Sequence, residues 1–204
     1  MLSKLDPRRV GAYAIVAILV GILAVNYVRA VGPAARRERI AACAALGPTP
    51  FNTVLGSVPR AAPSLAAQAY TGEMVSLSAY RARVVFLHFW APWCDACNRE
   101  LPTLSRLQAD LHGEAFNLLT LVSEPTWKSV LDHFPKGTDL TVLLDPPRNG
   151  EEGRVGSVAA RFGTDKLPES YLIDKAGTIR YYFVGARDWS SEQARTCVQS
   201  LIDE

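Results

Sequence analysis

The sequence is poor in cysteine and histidine and has almost no excess charge, and each shortage excludes a class of protein. Four cysteines in 204 residues are too few for a disulfide scaffold. The three histidines show no metal-ligand spacing around the single Cys94–Cys97 pair, so a structural zinc site, which usually needs four ligands, is disfavoured and we expect no metal. A net charge of +2, without a dense basic stripe beyond the N-terminal third, argues against a nucleic-acid partner.

The composition and length indicate one globular domain with an appendage. Hydrophobic residues make up 49% of the chain and charged residues 21%, which is typical of a globular rather than a disordered protein. A chain of 204 residues can bury one sizeable core but is too short for two full domains.

Residues 10–28 form an uncharged apolar run that predicts a transmembrane helix. These nineteen residues, at about 1.5 Å each, span roughly 28 Å, close to the bilayer's hydrocarbon thickness of about 30 Å. A cleaved signal peptide is the alternative, although the run exceeds the usual apolar region of about 7–15 residues. Basic residues flank the run on both sides, so the charges leave its orientation open.

The apolar run divides the chain into four predicted segments. Residues 1–9 form a cytoplasmic stub and residues 10–28 the anchor. Residues 29–60 form a linker with a short helix at 37–46, and residues 61–204 form the globular domain.

Strand-like and helix-like patterns alternate through the globular segment. Residues 84–90 form a continuous apolar run, typical of a strand buried on both faces, and residues 97–111 carry leucines at helical spacing. We predict further strands at 74–77, 116–122, 141–144, 171–173 and 178–184, further helices at 126–134, 155–162 and from 190, and a polar loop at 145–154. The alternation predicts an α/β domain with helices flanking one mixed sheet.

Cys94 and Cys97 follow the buried strand and open the next helix, a placement that favours redox chemistry. Two intervening residues at a helix start bring both sulfurs onto one turn, and the free amide groups and partial positive charge there stabilise a thiolate. We expect Cys94, nearer the helix end, to attack a partner's disulfide and Cys97 to resolve the mixed disulfide. The redox-active disulfide then needs no further cofactor.

The stretch VVFLHFWAPWCDACNREL at 84–101 resembles the membrane-anchored thioredoxin-like reductases of the TlpA, ResA and DsbE type. The similarity runs from about residue 62 to the C-terminus. It includes Trp93 before the first cysteine and Glu100 and Pro102 after the second. A second signature, LPESYLIDKAGTIRYYFVG, covers residues 167–185.

The resemblance implies a thioredoxin-like fold in which Pro168 is a cis-proline facing the disulfide, where an ordinary trans loop proline is the alternative. It also implies a catalytic domain on the periplasmic side of a bacterial-type inner membrane, which orients the predicted anchor with its N-terminus inside. The implied protein substrates are apocytochrome c before haem attachment or the copper-site cysteines of an oxidase. A membrane thiol transporter is the implied electron donor.

Three residues near the pair need interpretation. His88 stands where relatives carry a buried Asn or Asp, and it is either a hydrogen-bonded core residue or a proton relay to Cys97. Asp95 places a carboxylate beside Cys94, which disfavours the thiolate and points toward a reductant. Glu100 is interpreted as a surface helical residue, with an acid–base role as the alternative.

Cys43 and Cys197 lie outside any motif. Unpaired thiols are a liability in an oxidising compartment, and some relatives in the family carry a comparable clamp, so a structural disulfide between them is a hypothesis.

Two rival functions for the chain stay open. A thiol peroxidase on the same fold is disfavoured because Ala91 occupies the position where it needs Thr. A copper-delivery module would use Cys94 and Cys97 as soft ligands for Cu(I).

Overall fold

The computed structural model describes residues 7–52, 55–148 and 154–204. Contacts between Cα atoms divide the chain into two units, Met1–Ile40 and Ala41–Glu204. The elements run in the order α1 (Pro7–Ala45), β1 (Phe51–Asn52), β2 (Gly56–Ser57), β3 (Arg60–Ala61), β4 (Ala66–Ala69), β5 (Met74–Ser76), a 3₁₀ turn (Leu77–Tyr80), β6 (Val84–Trp90), α2 (Asp95–Asp110), β7 (Phe116–Val122), α3 (Trp127–His133), β8 (Thr141–Leu144), α4 (Ser157–Arg161), β9 (Glu169–Ile173), β10 (Thr178–Val184) and α5 (Glu192–Ile202).

The described residues of the first unit, 7–40, lie within helix α1. Its described side chains from Tyr13 to Tyr27 are exposed. Among the described residues, no helix combines the length and the hydropathy that a membrane crossing requires. The side chains of residues 10, 12 and 28 lie outside the described ones. The anchor over residues 10–28 therefore stays a prediction, and residues 1–6 of the predicted stub lie outside the described residues.

The second unit is built on a mixed sheet that has eight strands within the described part of the chain, in the order β3-β10-β9-β6-β7-β8-β4-β5. Strands β6, β7 and β8 are parallel, as expected for strands connected by helices. Strand β9 pairs antiparallel with β6, with Phe89 opposite Glu169. This register brings the start of β9 level with the end of β6, from which the chain continues to the cysteine pair.

Alternate residues of β6 face two separate apolar layers, because side chains of a strand point to opposite faces in turn. Val84, Phe86 and Trp90 pack on the face that carries α2 and α5. Val85, Leu87 and Phe89 pack on the other face, which carries α4. All seven side chains of β6 are buried, so the strand is held by packing on both faces. The start of α2, which follows β6 in the chain, is positioned by this strand.

The predicted strands agree with the structure, whereas several boundaries and short elements do not. Strands β6, β7, β8 and β10 have the predicted bounds. The predicted helix at 37–46 is wrong as a separate element, because α1 continues unbroken from Pro7 to Ala45. The predicted linker also ends too late, since its last residue, Arg60, already pairs with Ile179 of β10. Residues 149–153 of the predicted polar loop lie outside the described residues.

Candidate active site

The cysteine pair lies at the junction between β6 and α2. Cys94 is the N-cap of α2, and the backbone N–H of Cys97 donates to its Sγ at 3.1 Å. The two sulfurs are bonded to each other, with their Cα atoms 5.2 Å apart. A sulfur in the N-cap position can accept hydrogen bonds from the unpaired amide groups of the first helical turn. The helix therefore stabilises a negative charge on Cys94 when the disulfide is reduced.

The two sulfurs differ in their access to solvent. Cys94 exposes 8% of its surface to solvent, whereas Cys97, in the first turn of α2, is fully buried. Trp93, which precedes the pair, exposes 48% of its surface, and the Asp95 side chain is also exposed. An incoming disulfide can therefore reach Cys94 first, which supports the predicted roles of attacking and resolving cysteine.

Pro168 lies at the start of β9, and the Leu167–Pro168 peptide bond is cis. Its carbonyl accepts a hydrogen bond from the backbone N–H of Gly185 at 2.9 Å, which ties the loop to the end of β10. Leu167 is only partly buried and precedes the paired residues of β9. Its backbone is therefore available to an extended partner segment, as in strand addition.

His88 lies on β6 beneath the cysteine pair, on the sheet face that carries α2. Its Nδ1 is 2.9 Å from the hydroxyl of Ser170, and its Nε2 is buried without a hydrogen-bond partner. Complete burial lowers the pKa of His88 from 6.5 to about 3, so the imidazole is neutral at physiological pH. Both interpretations of His88 stay open, because it is a hydrogen-bonded core residue with one ring nitrogen unused.

Glu100 is buried, so its interpretation as a surface helical residue is wrong. It lies three residues after Cys97 on the same side of α2, where residues at that spacing are neighbours. Its Oε1 accepts a hydrogen bond from the indole N–H of Trp189, and its Oε2 is buried without a partner. Burial raises the pKa of Glu100 to about 7, although the hydrogen bonds from Trp189 and from the backbone of Arg187 lower it.

The buried carboxylate Glu169, which follows the cis-proline, and its hydrogen-bond partners were not predicted from the sequence. Glu169 is buried on the opposite sheet face, and the Tyr171 hydroxyl lies 3.3 Å from its Oε2. The same hydroxyl donates to the carbonyl of Phe162 and contacts the Thr164 hydroxyl at 3.0 Å. Burial raises the pKa of Glu169, while hydrogen bonds from Tyr182, Thr164 and Tyr171 lower it. These bonds hold the segment that leads to Pro168 against the sheet.

Cys43 and Cys197 are bonded to each other, with an S–S distance of 2.05 Å across a sequence separation of 154 residues. Both are buried in the same apolar layer as the active-site pair. The Arg187 guanidinium, which no sequence pattern indicated, donates to the carbonyls of Leu46 and Gly47 at 2.6 and 2.8 Å. The disulfide and Arg187 together attach the last turn of α1 and the residues after it to the rest of the second unit.

Known proteins with related sequences include thiol-disulfide oxidoreductases. A family model described as the AhpC/TSA family matches residues 58–182, more than half of the chain. The thiol-disulfide oxidoreductase ResA of Geobacillus thermodenitrificans (strain NG80-2) is 30% identical over 127 residues, which cover 61% of this chain and 67% of that protein. ResA of Bacillus thuringiensis subsp. konkukian (strain 97-27) is 28% identical over 118 residues, covering 58% of this chain and 64% of the relative. The chain thus spans less than two thirds of that relative's length.

Solved structures have the same fold. The crystal structure of a Chlorobium tepidum protein assigned as the thiol:disulfide interchange protein DsbE has a TM-score of 0.61 and 25% identity, covering 71% of this chain and 96% of that one. The solution structure of a Bacteroides thetaiotaomicron protein assigned as a protein disulfide isomerase has a TM-score of 0.60 and 23% identity, with coverage of 74% and 92%. At that identity the second likeness shows the fold alone.

Proposed function

Because the chain belongs to the AhpC/TSA family and has a thioredoxin-like fold, we propose that it is a thiol–disulfide oxidoreductase that reduces disulfides of partner proteins. The observation that carries this proposal is the position of Cys94, slightly exposed at the N-terminus of α2, with Cys97 buried behind it. The ResA and DsbE relatives support the same activity.

In the exchange, electrons pass only between sulfur atoms of the chain and its partner, and protons are exchanged with solvent. In the reduced protein, the Cys94 thiolate attacks one sulfur of the partner's disulfide, and the other sulfur leaves as a thiolate that takes a proton from solvent. The Cys97 thiol then loses its proton and attacks Cys94 Sγ, which releases the second partner thiolate. The protein's disulfide is formed as the partner's is reduced, so two electrons pass from the chain to its partner.

Cys97 must lose its proton inside the domain, and two nearby groups are proposed to help. Glu100 lies on the same side of α2 and has an unpartnered buried oxygen and a pKa of about 7, which suits a group that exchanges protons near neutrality. His88 offers an unpartnered Nε2 on the sheet face beneath α2. We propose Glu100 as the acid–base group, with His88 either a proton relay or a hydrogen-bonded core residue.

The proposed setting is the periplasmic side of a bacterial-type inner membrane. The exposed apolar side chains of α1 between Tyr13 and Tyr27 support a membrane anchor, and the Cys43–Cys197 disulfide supports an oxidising compartment. A reductant in such a compartment needs electrons from elsewhere, for which a membrane thiol transporter is the proposed source. Apocytochrome c or copper-site proteins are the proposed clients.

A Cys97→Ser variant tests the function and the roles of the two cysteines together. Without the resolving thiol, the mixed disulfide on Cys94 should persist, so partner proteins should co-purify with the variant and be released by reductant. The matched Cys94→Ser variant should capture few or none. Equal capture by both variants would show that the roles are wrongly assigned.

Tight Cu(I) binding by the wild-type chain without any disulfide reduction would favour the copper-delivery alternative.

Replacing Asp95 with Asn should make Cys94 a better thiolate. The exposed carboxylate next to Cys94 repels a negative charge on the sulfur, and exposed charge pairs of this kind contribute about 0.2–1 kcal/mol. We therefore expect roughly two- to threefold more thiolate at a fixed pH, and a reduction potential that is correspondingly less negative. Thiolate absorbance in a Cys97→Ser background measures the first quantity. Asp110→Asn, at the other end of α2, is the control, and an equal effect there contradicts the explanation.

A further inference from the structure

A groove with a volume of about 880 Å³ extends to Trp93, the residue that precedes the cysteine pair. Trp93, on one side of Cys94, and Leu167, which precedes the cis-proline, both line it. These two residues border the place where an extended partner segment must lie for its disulfide to reach Cys94. The groove therefore adjoins two residues that flank the reaction site in the sequence.

The described lining of the groove combines an apolar surface with an excess of positive charge. Trp93, Val155 and Leu167 supply apolar surface. The charged side chains in the lining are three cations and one carboxylate, namely Arg148, Arg154, Lys166 and Asp165. Arg148 and Lys166 are exposed, so both can meet a ligand without losing a buried contact. Such a surface favours an anionic segment, because complementary charges steer association and fix the register of the complex.

We infer that this groove receives the client segment that flanks the reactive cysteine and selects segments carrying Asp or Glu side chains. The inference rests on the proposed function, since it concerns which disulfides the same cysteine pair reduces. Arg148 and Lys166 act as specificity residues that pair with the client's carboxylates, and Trp93 and Leu167 hold the client backbone near Cys94. Salt should weaken the selection, because exposed charges are screened within about 10 Å at 0.1 M ionic strength.

Single-turnover kinetics with two matched peptides test the inference on the pre-reduced full chain. Each peptide carries one cysteine in a mixed disulfide with neutral 2-thiopyridine, flanked by Glu in one peptide and by the isosteric Gln in the other. Cys94 Sγ bonds to the peptide sulfur, and thiopyridine leaves with the electron pair as a coloured product. Cys97 then releases the peptide thiol. We expect the Glu peptide to react about fivefold faster at low salt, with the difference disappearing at high salt.

Charge reversal in the groove should remove this selection without slowing the reaction itself. In the double variant Arg148→Glu, Lys166→Glu, the Glu peptide should lose its advantage, while the Gln peptide should react within twofold of the wild-type rate. The double variant Arg106→Glu, Lys128→Glu has the same change of charge at exposed positions outside the groove lining and should keep the wild-type ratio.

Two results overturn the inference, and a third separates it from the proposed function. Equal rates for the two peptides with the wild-type chain show that the groove does not select carboxylates. An equal loss of selection in both double variants shows that the total charge, not the groove, is responsible. If neither peptide releases thiopyridine, the proposed function itself fails, and the inference that rests on it fails as well.

Discussion

Removing the Cys43–Cys197 disulfide should lower the free energy of unfolding by about 3–5 kcal/mol. The bond closes a loop across 154 residues, and the conformational entropy that a disulfide removes from the unfolded chain grows with the length of its loop. Both sulfurs are also buried in the core, so their loss removes packing as well. Replacing both cysteines with Ala leaves no free thiol that could attack the active-site pair. Urea unfolding of the oxidised full chain in mild detergent measures the change.

The active-site disulfide provides the matched control for that measurement. Its two cysteines are only three positions apart, so the same loop relation gives it about 2 kcal/mol or less. A Cys94→Ala, Cys97→Ala variant should therefore lose clearly less stability than the Cys43→Ala, Cys197→Ala variant, and it should be inactive. The Cys43→Ala, Cys197→Ala variant should lose more stability but still exchange disulfides when folded. Equal losses of stability in the two variants would contradict a tethering role for the first pair.

Glu100 and His88 should give the oxidised protein two opposite dependences of stability on pH. Burial raises the pKa of Glu100 from 4.5 to about 7, so between these values the folded state holds a proton that the unfolded state has lost. Stability from this group therefore falls as pH rises through that window. Burial lowers the pKa of His88 from 6.5 to about 3, so the unfolded state holds the extra proton and stability rises with pH up to 6.5.

The two slopes oppose each other between pH 4.5 and 6.5, and single variants should separate them. Each slope is about 1.4 kcal/mol per pH unit at most, or roughly 2–3 kcal/mol across the window. In Glu100→Gln, which keeps an acceptor for the Trp189 indole, stability should rise with pH relative to wild type. In His88→Asn it should fall. Subtracting the wild-type profile removes the contributions of Asp145 and Glu169, whose pKa values burial also raises.

Urea unfolding at pH values from 4.5 to 8 measures these profiles. His112→Asn, at an exposed histidine, is the control for the histidine substitution and should follow the wild-type profile. Variant profiles that run parallel to the wild type would show that neither buried group changes its protonation within this range. Such a result would also remove the support that the raised pKa of Glu100 gives to its proposed acid–base role.

The sequence predicted the central strands well because their patterns are long. The seven residues of β6, six of them apolar, are buried on both faces of the sheet, as their composition predicts. By contrast, β4 consists of the residues Ala66–Ala69, whose alanines have little preference for strands, and β3 has only two residues. Elements this short have no period to detect, and only their pairing with β8 and β10 defines them.

Helix boundaries depended on interactions that the hydrophobic pattern does not contain. Helix α2 begins at Asp95, two residues before the first residue of the predicted helix, because the Cys94 sulfur caps its first turn. The linker is predicted to begin at residue 29, whereas α1 continues without a break to Ala45.

Within the candidate site, spacing alone identified only residues that are close in sequence, whereas the cis conformation at Pro168 was expected from the family resemblance. The cysteine pair and its helix could be identified from their spacing. Glu100 could not be recognised as buried, because its partner Trp189 is 89 residues away in sequence. Glu169 similarly depends on Thr164, Tyr171 and Tyr182, which three different backbone segments bring together behind the cis-proline.

The main sheet ends in two very short strands, β3 with two residues and β5 with three. An open sheet edge is a template for any extended chain, and long flat edges lead to aggregation and fibrils. A protein proposed to handle extended client chains meets this hazard at every encounter. With so few backbone groups available at either edge, a client gains little by adding there, and the loop before β9 at Leu167 is left as the productive place to pair. Short edges thus protect both the enzyme and its clients from co-aggregation.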